Sequence, residues 1–184
     1  MQTLDLNAAE EKVLRDVQCC LAKMRDLLPA STETAAVGVA ALSKLRAESY
    51  EALNQIQHEY AALCAVRWLV SQGHAPEGTR WKWNPRQTGD ATEPDIRGMV
   101  NGRVVISGEV TTSARPIGVI DRRMRSTLDK LAGMEGARFY FVLSDRMRKR
   151  ADTKVRKAGH DLVVVRLADA ITVSDLSVAA YGVA

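Results

Sequence analysis

Apolar residues recur at helical spacing through the first 71 positions of the chain. Residues three and four apart lie on one face of a helix, which predicts a helix over 7–28, capped by Asn7 and ended by Pro29. A second helix is predicted from about residue 31 to 71, with Gly73 as its left-handed C-cap. The stripe of the first helix consists of Val13, Val17, Leu21, Met24 and Leu28.

Strand-like alternation and short apolar runs replace this pattern farther along the chain. In the segment 79–84, Trp81 and Trp83 share one face, and we predict that both belong to the core. A polar loop is expected over 85–92. Strands are also predicted within 93–116, 138–143 and 162–167, helices at 118–132 and 144–158, and a short helix in 168–184. This order of elements indicates an α/β fold whose later strands are parallel.

The hairpin predicted over 93–116 contains two acidic residues. Asp95 opens its first strand, and Glu109 lies late in the second strand, where Thr111 shares its face. Two carboxylates brought together on a sheet can hold a hard metal ion through their oxygens. The sequence therefore makes this hairpin the candidate functional site.

The register of the hairpin decides whether these carboxylates meet. A regular two-residue turn at Asn101-Gly102 would pair Asp95 with Gly108 and leave the carboxylates on opposite faces. A three-residue turn, or a bulge at Gly98 or Gly108, would bring them to the same face. We predict that one of these irregularities is present.

A third acidic residue falls on the apolar stripe of the second helix. Glu59 lies between Ile56 and Leu63 at helical spacing. Glutamate is rarely buried unless it is paired, so Glu59 either lies at the edge of the core or reaches a functional site. The pattern leaves both alternatives open.

Charge is distributed unevenly along the 184 residues. The net charge is +4, yet the segment from Arg115 to Lys157 contains 13 Lys/Arg and 5 Asp/Glu, whereas the first 60 residues contain 6 and 9. A basic half joined to an acidic half suggests that one face meets a polyanion. The basic run at 146–150 is interpreted as the solvated face of an outer helix.

Cysteine usage and hydropathy narrow the class of protein. Cys19, Cys20 and Cys64 do not have the spacing of a zinc site, and we expect them to be thiols packed in helices. No apolar run approaches the ~20 residues that span a bilayer, and the first residues have no signal-peptide pattern. We therefore expect a cytoplasmic protein without zinc and without a membrane segment.

The order of elements and two short motifs resemble the PD-(D/E)XK nuclease superfamily. The motifs are Pro94-Asp95 and the tripeptide Glu109-Val110-Thr111, and the continuation through 112–118 is similar to restriction cleavage domains of the FokI type. The resemblance covers about residues 50–167. It implies a restriction-endonuclease-like mixed β-sheet flanked by helices. We expect an N-terminal helical extension over 1–48, for packing or dimerisation, and a nuclease domain over 49–184.

The resemblance also implies a metal site and its chemistry. Asp95, Glu109 and the carbonyl of Val110 would bind Mg²⁺, with Mn²⁺ as a substitute, and Glu59 would orient a water or a second ion. A bound ion lowers the pKa of its water and stabilises the oxygens of an in-line displacement. Thr111 stands where the superfamily usually has lysine.

Three interpretations of Thr111 remain open. Its hydroxyl could orient the attacking water in an active enzyme. A lysine could instead come from Lys82, on a neighbouring strand, or from Lys130, on the helix after the motif. The domain could also be catalytically inactive.

The function expected from the resemblance is that of a metal-dependent DNA endonuclease of restriction or phage-defence type, either alone or as a catalytic subunit. The alternatives are a structure-specific nuclease resembling junction resolvases and an inactive DNA-binding or assembly subunit. Arg115, Arg122, Arg123 and Arg125 would contact the phosphates of double-stranded DNA. Since cutting both strands needs two sites, we expect a homodimer, or a heterodimer with a recognition subunit, formed through the N-terminal helices.

Overall fold

The computed structural model describes residues 1–29, 31–85 and 92–167. Most of the predicted loop over 85–92 and the helix predicted in 168–184 lie outside these ranges. The described helices are Leu6–Leu27 (α1), Ala35–Ser71 (α2), Val119–Ala132 (α3) and Asp145–Ala158 (α4). The described strands are Gln2–Thr3 (β1), Arg80–Trp83 (β2), Ile96–Val100 (β3), Arg103–Thr111 (β4), Ala137–Val142 (β5) and Val163–Arg166 (β6).

The strands described form one mixed sheet in the order β1-β2-β3-β4-β5-β6. Strands β1 to β4 pair antiparallel, whereas β4, β5 and β6 pair parallel. This confirms the predicted α/β class and the parallel later strands, which are connected through α3 and α4 because a parallel pair needs a crossover connection. Strand β1 was not predicted, because two residues are too short to show an alternation.

The chain divides into two compact units. One comprises Asp5–Tyr60, and the other comprises Met1–Leu4 with the chain from Ala61 onward. The division falls inside α2, whereas the sequence placed a boundary after residue 48. Helix α2 continues without a break past Gly38, so no loop marks the transition between the units.

The unit Asp5–Tyr60 contains α1 and the larger part of α2. The N-cap of α1 is Asp5 and not Asn7 as predicted, because the Asp5 carboxylate accepts hydrogen bonds from the backbone N–H groups of Asn7 and Ala8. The apolar stripe of α1 is also less buried than its period suggests. Val13 is buried, but Leu21 and Leu28 are 47% and 58% exposed.

The sheet packs apolar side chains on both faces. On one face Tyr140 and Val142 join Met124, Leu128 and Leu131 of α3 and residues of α4 in one core cluster. On the other face Phe139 and Phe141 lie against Trp68 of α2, with ring centroids 6.3 and 5.9 Å from it. Trp81 and Trp83 are buried as predicted. The two-sided burial of β5 explains its continuous apolar sequence.

The helical caps of this unit have the residue types that such positions favour. Ser144 caps α4 by accepting a hydrogen bond from the Met147 N–H, and Gly159 ends the helix in the left-handed region, with φ of 66°. Gly73 follows α2 with φ of 70°.

Within the described ranges, no helix is both long enough and apolar enough to cross a membrane.

Candidate functional site

The hairpin of β3 and β4 contains the predicted irregularity. Its turn, Asn101-Gly102, has two residues, with φ of 50° and 79°. Farther from the turn the register shifts between Gly98 and Met99, and Val105 of β4 is the extra, unpaired residue. A bulge opposite Gly98 is one of the predicted alternatives, so this prediction is confirmed.

The bulge brings Asp95 and Glu109 to the same face of the sheet. Beyond the bulge Ile96 pairs with Gly108, so Asp95, one residue before β3, stands opposite Glu109. Side chains directly opposite on antiparallel strands are close neighbours. Both carboxylates are buried, with 7% and 6% of their residue surfaces exposed. The two acids of the motif therefore share one buried location.

The turn before β5 holds the bulge in place. Gly136 has φ of +76°, and a Cβ on it would lie 2.4 Å from the carbonyl carbon of Val105. The Ser107 hydroxyl donates a hydrogen bond of 2.9 Å to the carbonyl of Glu135. Because the backbones of the turn and the bulge are in close contact, only glycine fits at position 136.

Asp95 is anchored at the end of the β3–β4 ladder. Its Oδ2 accepts a hydrogen bond of 2.7 Å from the backbone N–H of Val110. In an antiparallel ladder the N–H and C=O of one residue point to the same neighbouring strand. The backbone geometry thus directs the Val110 carbonyl to the same side as its N–H, the side of Asp95.

Lys130 brings a positive charge to the carboxylates. Its ammonium group forms an ion pair with Oε1 of Glu109 and donates a hydrogen bond of 3.2 Å to the carbonyl of Glu93. Of the two lysines considered as substitutes, Lys130 is thus in contact with the motif. Lys82 lies on the same face, in register with Arg97 rather than with Asp95.

Thr111 is held by a residue that the sequence did not suggest. The buried Tyr140 hydroxyl donates a hydrogen bond of 2.9 Å to Oγ1 of Thr111. Burial raises the pKa of Tyr140 to about 12; the Thr111 hydrogen bond acts in the opposite direction, and the charges of Glu109 and Asp95 add to the increase. Tyr140 therefore remains a neutral hydrogen-bond donor, and the Thr111 hydroxyl can still donate a hydrogen bond to another group.

Glu59 belongs to the unit Asp5–Tyr60 and has partners within it. It is 1% exposed, and its carboxylate accepts hydrogen bonds from Lys12 Nζ at 2.6 Å and Gln55 Nε2 at 3.0 Å. Lys12 also bonds Asp16 at 2.7 Å. Although burial alone lowers it, these hydrogen bonds leave the pKa of Lys12 above its usual value. Glu59 is therefore a paired, buried carboxylate.

The arginines expected to contact DNA lie on exposed positions. Arg115 is in the loop after β4, and Arg122 and Arg123 lie on α3; all three are exposed. On α4, Arg150 makes two hydrogen bonds to Asp121, of 2.7 and 3.0 Å. The basic side chains of the run 146–150 are all exposed, as expected of a solvated face, and Arg150 is in addition tied to α3.

The donor set of the site fits Mg²⁺. Asp95, Glu109 and the Val110 carbonyl offer oxygen atoms only, as this ion prefers. In the described ranges no group of three or more His, Cys, Asp or Glu side chains is arranged for a metal. Magnesium sites commonly use one or two carboxylates and complete the shell with water and substrate phosphate. An ion here would share Glu109 with Lys130.

Sequence reasoning missed Tyr140 because it lies in an apolar run whose composition indicates only a buried strand. The signal that could have found it is the parallel register of β5 with β4, which pairs Glu109 with Tyr140.

No protein-family model matches the chain, and neither a curated protein nor a solved structure is significantly similar to it. The function must therefore be argued from these residues.

Proposed function

We propose that the protein is a metal-dependent DNA endonuclease of restriction or phage-defence type. We also propose a restriction-endonuclease-like fold for the unit that contains the sheet, Met1–Leu4 with the chain from Ala61 onward, which we call the sheet unit. The observation that supports this proposal most strongly is the bulged hairpin. It costs the β3–β4 ladder a pair, and its effect is to put two buried carboxylates side by side. Two buried negative charges on neighbouring positions of one face repel each other, which is unfavourable unless a cation compensates them.

The residues around the carboxylates have separate tasks in this proposal. Asp95 and Glu109, with the Val110 carbonyl, would hold Mg²⁺ or Mn²⁺. The bound ion would supply an activated water and neutralise charge on the scissile phosphate. Asp95 is oriented by the hydrogen bond that its Oδ2 accepts from the Val110 N–H.

Lys130 takes the task of the lysine that position 111 lacks. An ammonium group on Glu109 can move a short distance to the phosphate and stabilise the charge that develops there. Thr111, whose oxygen accepts a hydrogen bond from Tyr140, would donate a hydrogen bond from its own hydroxyl to the water or to a phosphate oxygen. Lys130 and Thr111 together would thus perform the task that a single lysine performs in the superfamily.

The first experiment is cleavage of supercoiled plasmid with Mg²⁺ or Mn²⁺ by the full chain. We expect cutting by the wild type and loss to background in Asp95→Ala and Glu109→Ala. Glu77→Ala, which removes an exposed carboxylate from a loop, should cut like the wild type. Absence of cutting by the wild type, alone and with the products of neighbouring genes, would exclude the enzyme.

Lys130→Met distinguishes the assignments of the lysine. We expect cleavage to fall ~10²-fold or more, as removal of a positioned charge commonly does. Lys149→Met, an exposed lysine on α4, is the matched control and should remain active. Unchanged cleavage by Lys130→Met would assign Lys130 a structural role only.

A second candidate is the inactive DNA-binding or assembly subunit. The specific observation in its favour is the ion pair of Lys130 with Glu109, which neutralises one carboxylate without any metal. This candidate predicts that the wild type binds duplex DNA without cutting it, and that Glu109→Gln binds as tightly as the wild type. Its preferred partner would be a catalytic or recognition subunit, or a second copy of this chain.

A further inference from the structure

A groove of about 360 Å³ lies between α3 and α4, and neither Asp95 nor Glu109 lines it. Its walls are formed mainly by side chains of these two helices. We call it the α3–α4 groove and define it by Arg125 and Asp129 of α3, Arg150, Lys154 and Lys157 of α4, and His160. None of the residues so far assigned to the cleavage chemistry lines it.

Positive charge exceeds negative charge in the groove. Four Lys/Arg side chains line it. Asp129 also lines it and pairs with His160, whereas Asp121 binds Arg150 and Lys154. Counting these two carboxylates, and His160 as uncharged, leaves an excess of two positive charges. Arg125 and Lys157 have no ion-pair or hydrogen-bond partner among the residues that the structure describes. These two cations are available to a ligand.

The other two cations are held in fixed positions. Arg150 binds Asp121 through two hydrogen bonds, and Lys154 bonds the same carboxylate at 3.1 Å with only 12% of its side chain exposed. Both interactions hold the pKa of Asp121 well below its usual range, with the Arg150 hydrogen bonds as the largest cause. Asp121 thus fixes the positions of Arg150 and Lys154, and its single negative charge leaves one of their two positive charges uncompensated.

We propose that the α3–α4 groove is a phosphate-binding site. Fixed guanidinium and ammonium groups around a concavity are the arrangement that phosphate oxygens require. The volume lies near the lower end of small-ligand pockets, so one phosphate with its flanking sugar fits. A phosphate can come from a nucleic-acid backbone or from a free nucleotide.

The assignment of the bound phosphate to a nucleic-acid backbone rests on the proposed function. Helix α3 carries Asp129 in the groove and the adjacent Lys130 at Glu109. A duplex held in the groove would therefore be held by the same helix that supplies the charge at the cleavage site. Contacts of this kind position the substrate without reading its sequence.

The test compares two double variants that remove the same charge. Arg125→Gln with Lys157→Gln empties the groove of its available cations. Arg146→Gln with Lys149→Gln removes two exposed cations of α4 outside it. Both are made in full-length Asp95→Ala protein, so that cleavage does not interfere, and circular dichroism checks that both fold.

Duplex binding is measured by fluorescence anisotropy from about 50 to 300 mM NaCl. We expect the groove variant to bind at least ~10-fold more weakly at low salt, and its slope of log Kd against log salt to fall by about 1–2, because each phosphate contact releases about one counterion. The control variant should have nearly the same Kd at low salt and nearly the same salt slope as the Asp95→Ala parent.

Inorganic phosphate and AMP form the second arm, measured by the thermal midpoint against chloride of equal ionic strength. Loss of duplex binding in the groove variant alone supports the backbone source. Loss of stabilisation by phosphate or AMP alone supports the free-nucleotide source. Equal behaviour of both double variants in both arms overturns the site. Plasmid cleavage by the wild type is scored separately, so a failed groove and a failed nuclease give different results.

Discussion

The two units of the chain each contain a buried glutamate paired with a lysine, and their surroundings differ. Glu59 has Lys12 and Gln55 as partners, and Lys12 also binds Asp16, so each carboxylate oxygen of Glu59 accepts a hydrogen bond. Glu109 has Lys130, and a second buried carboxylate stands beside it. The same pair thus stabilises a helix contact in one unit and is part of a candidate reaction site in the other.

The units also differ in what covers their apolar residues. In the unit Asp5–Tyr60 the helices leave Leu21, Leu42 and Leu53 about half or more exposed. In the sheet unit Leu131, Tyr140 and Phe141 are completely buried. Helical periodicity predicts an element in both cases, but it does not tell how much of the apolar face is covered.

The largest expected effect is the difference between Leu131→Ala and Leu21→Ala. Leu131 has 0% exposure between α3 and the sheet, so its truncation leaves a cavity and should cost about 2–5 kcal/mol. Leu21 is 47% exposed, and its truncation should cost less than ~1 kcal/mol. Urea denaturation of both variants measures this, and equal losses would mean that the exposed stripe is covered in solution, as in a dimer.

Gly136→Ala tests the support of the bulge. Alanine would take up a positive φ and place its Cβ against the Val105 backbone, so we expect a loss of about 2–3 kcal/mol in stability. Gly133→Ala is the control, because Gly133 has an ordinary helical φ of −85° and the nearest atom to a Cβ is at 3.6 Å. If both variants unfold at the same urea concentration, Gly136 does not hold the bulge.

Lys12→Met tests whether Glu59 is a structural carboxylate. Removal of the lysine leaves a buried charge with one remaining partner, and partial exposure of Lys12 reduces the cost to about 2 kcal/mol. Lys23→Met, which breaks the exposed pair with Glu48, should have no measurable effect. Adding Glu59→Gln to Lys12→Met should recover most of the loss. Failure of this rescue would point to a role for the Glu59 charge beyond its pair.

Local periodicity predicted the described helices and every described strand except β1. The need for an irregular hairpin, by a three-residue turn or a bulge, followed from the register that would bring Asp95 and Glu109 to one face. The sequence could not choose between Gly98 and Gly108 for the bulge, since that choice depends on the contact of Val105 with Gly136, a residue about 30 positions later. It could not choose between Lys82 and Lys130 for the same reason: Lys130 reaches Glu109 through the packing of α3 on the sheet.

Tyr140→Phe has the smallest expected effect and reports on the candidate site itself. Loss of the hydrogen bond to Thr111 should cost about 1 kcal/mol at neutral pH. The phenol has a pKa of about 12 in the folded protein and 10.0 in an unperturbed chain, so deprotonation favours unfolding. Stability from this group is therefore complete below pH 10.0 and is lost as the pH rises toward about 12. Absorbance at the tyrosinate band should show a late-titrating phase in the wild type that is lost in Tyr140→Phe. A wild type in which all tyrosines titrate together near their usual pKa would mean that this hydroxyl is not buried beside the two carboxylates.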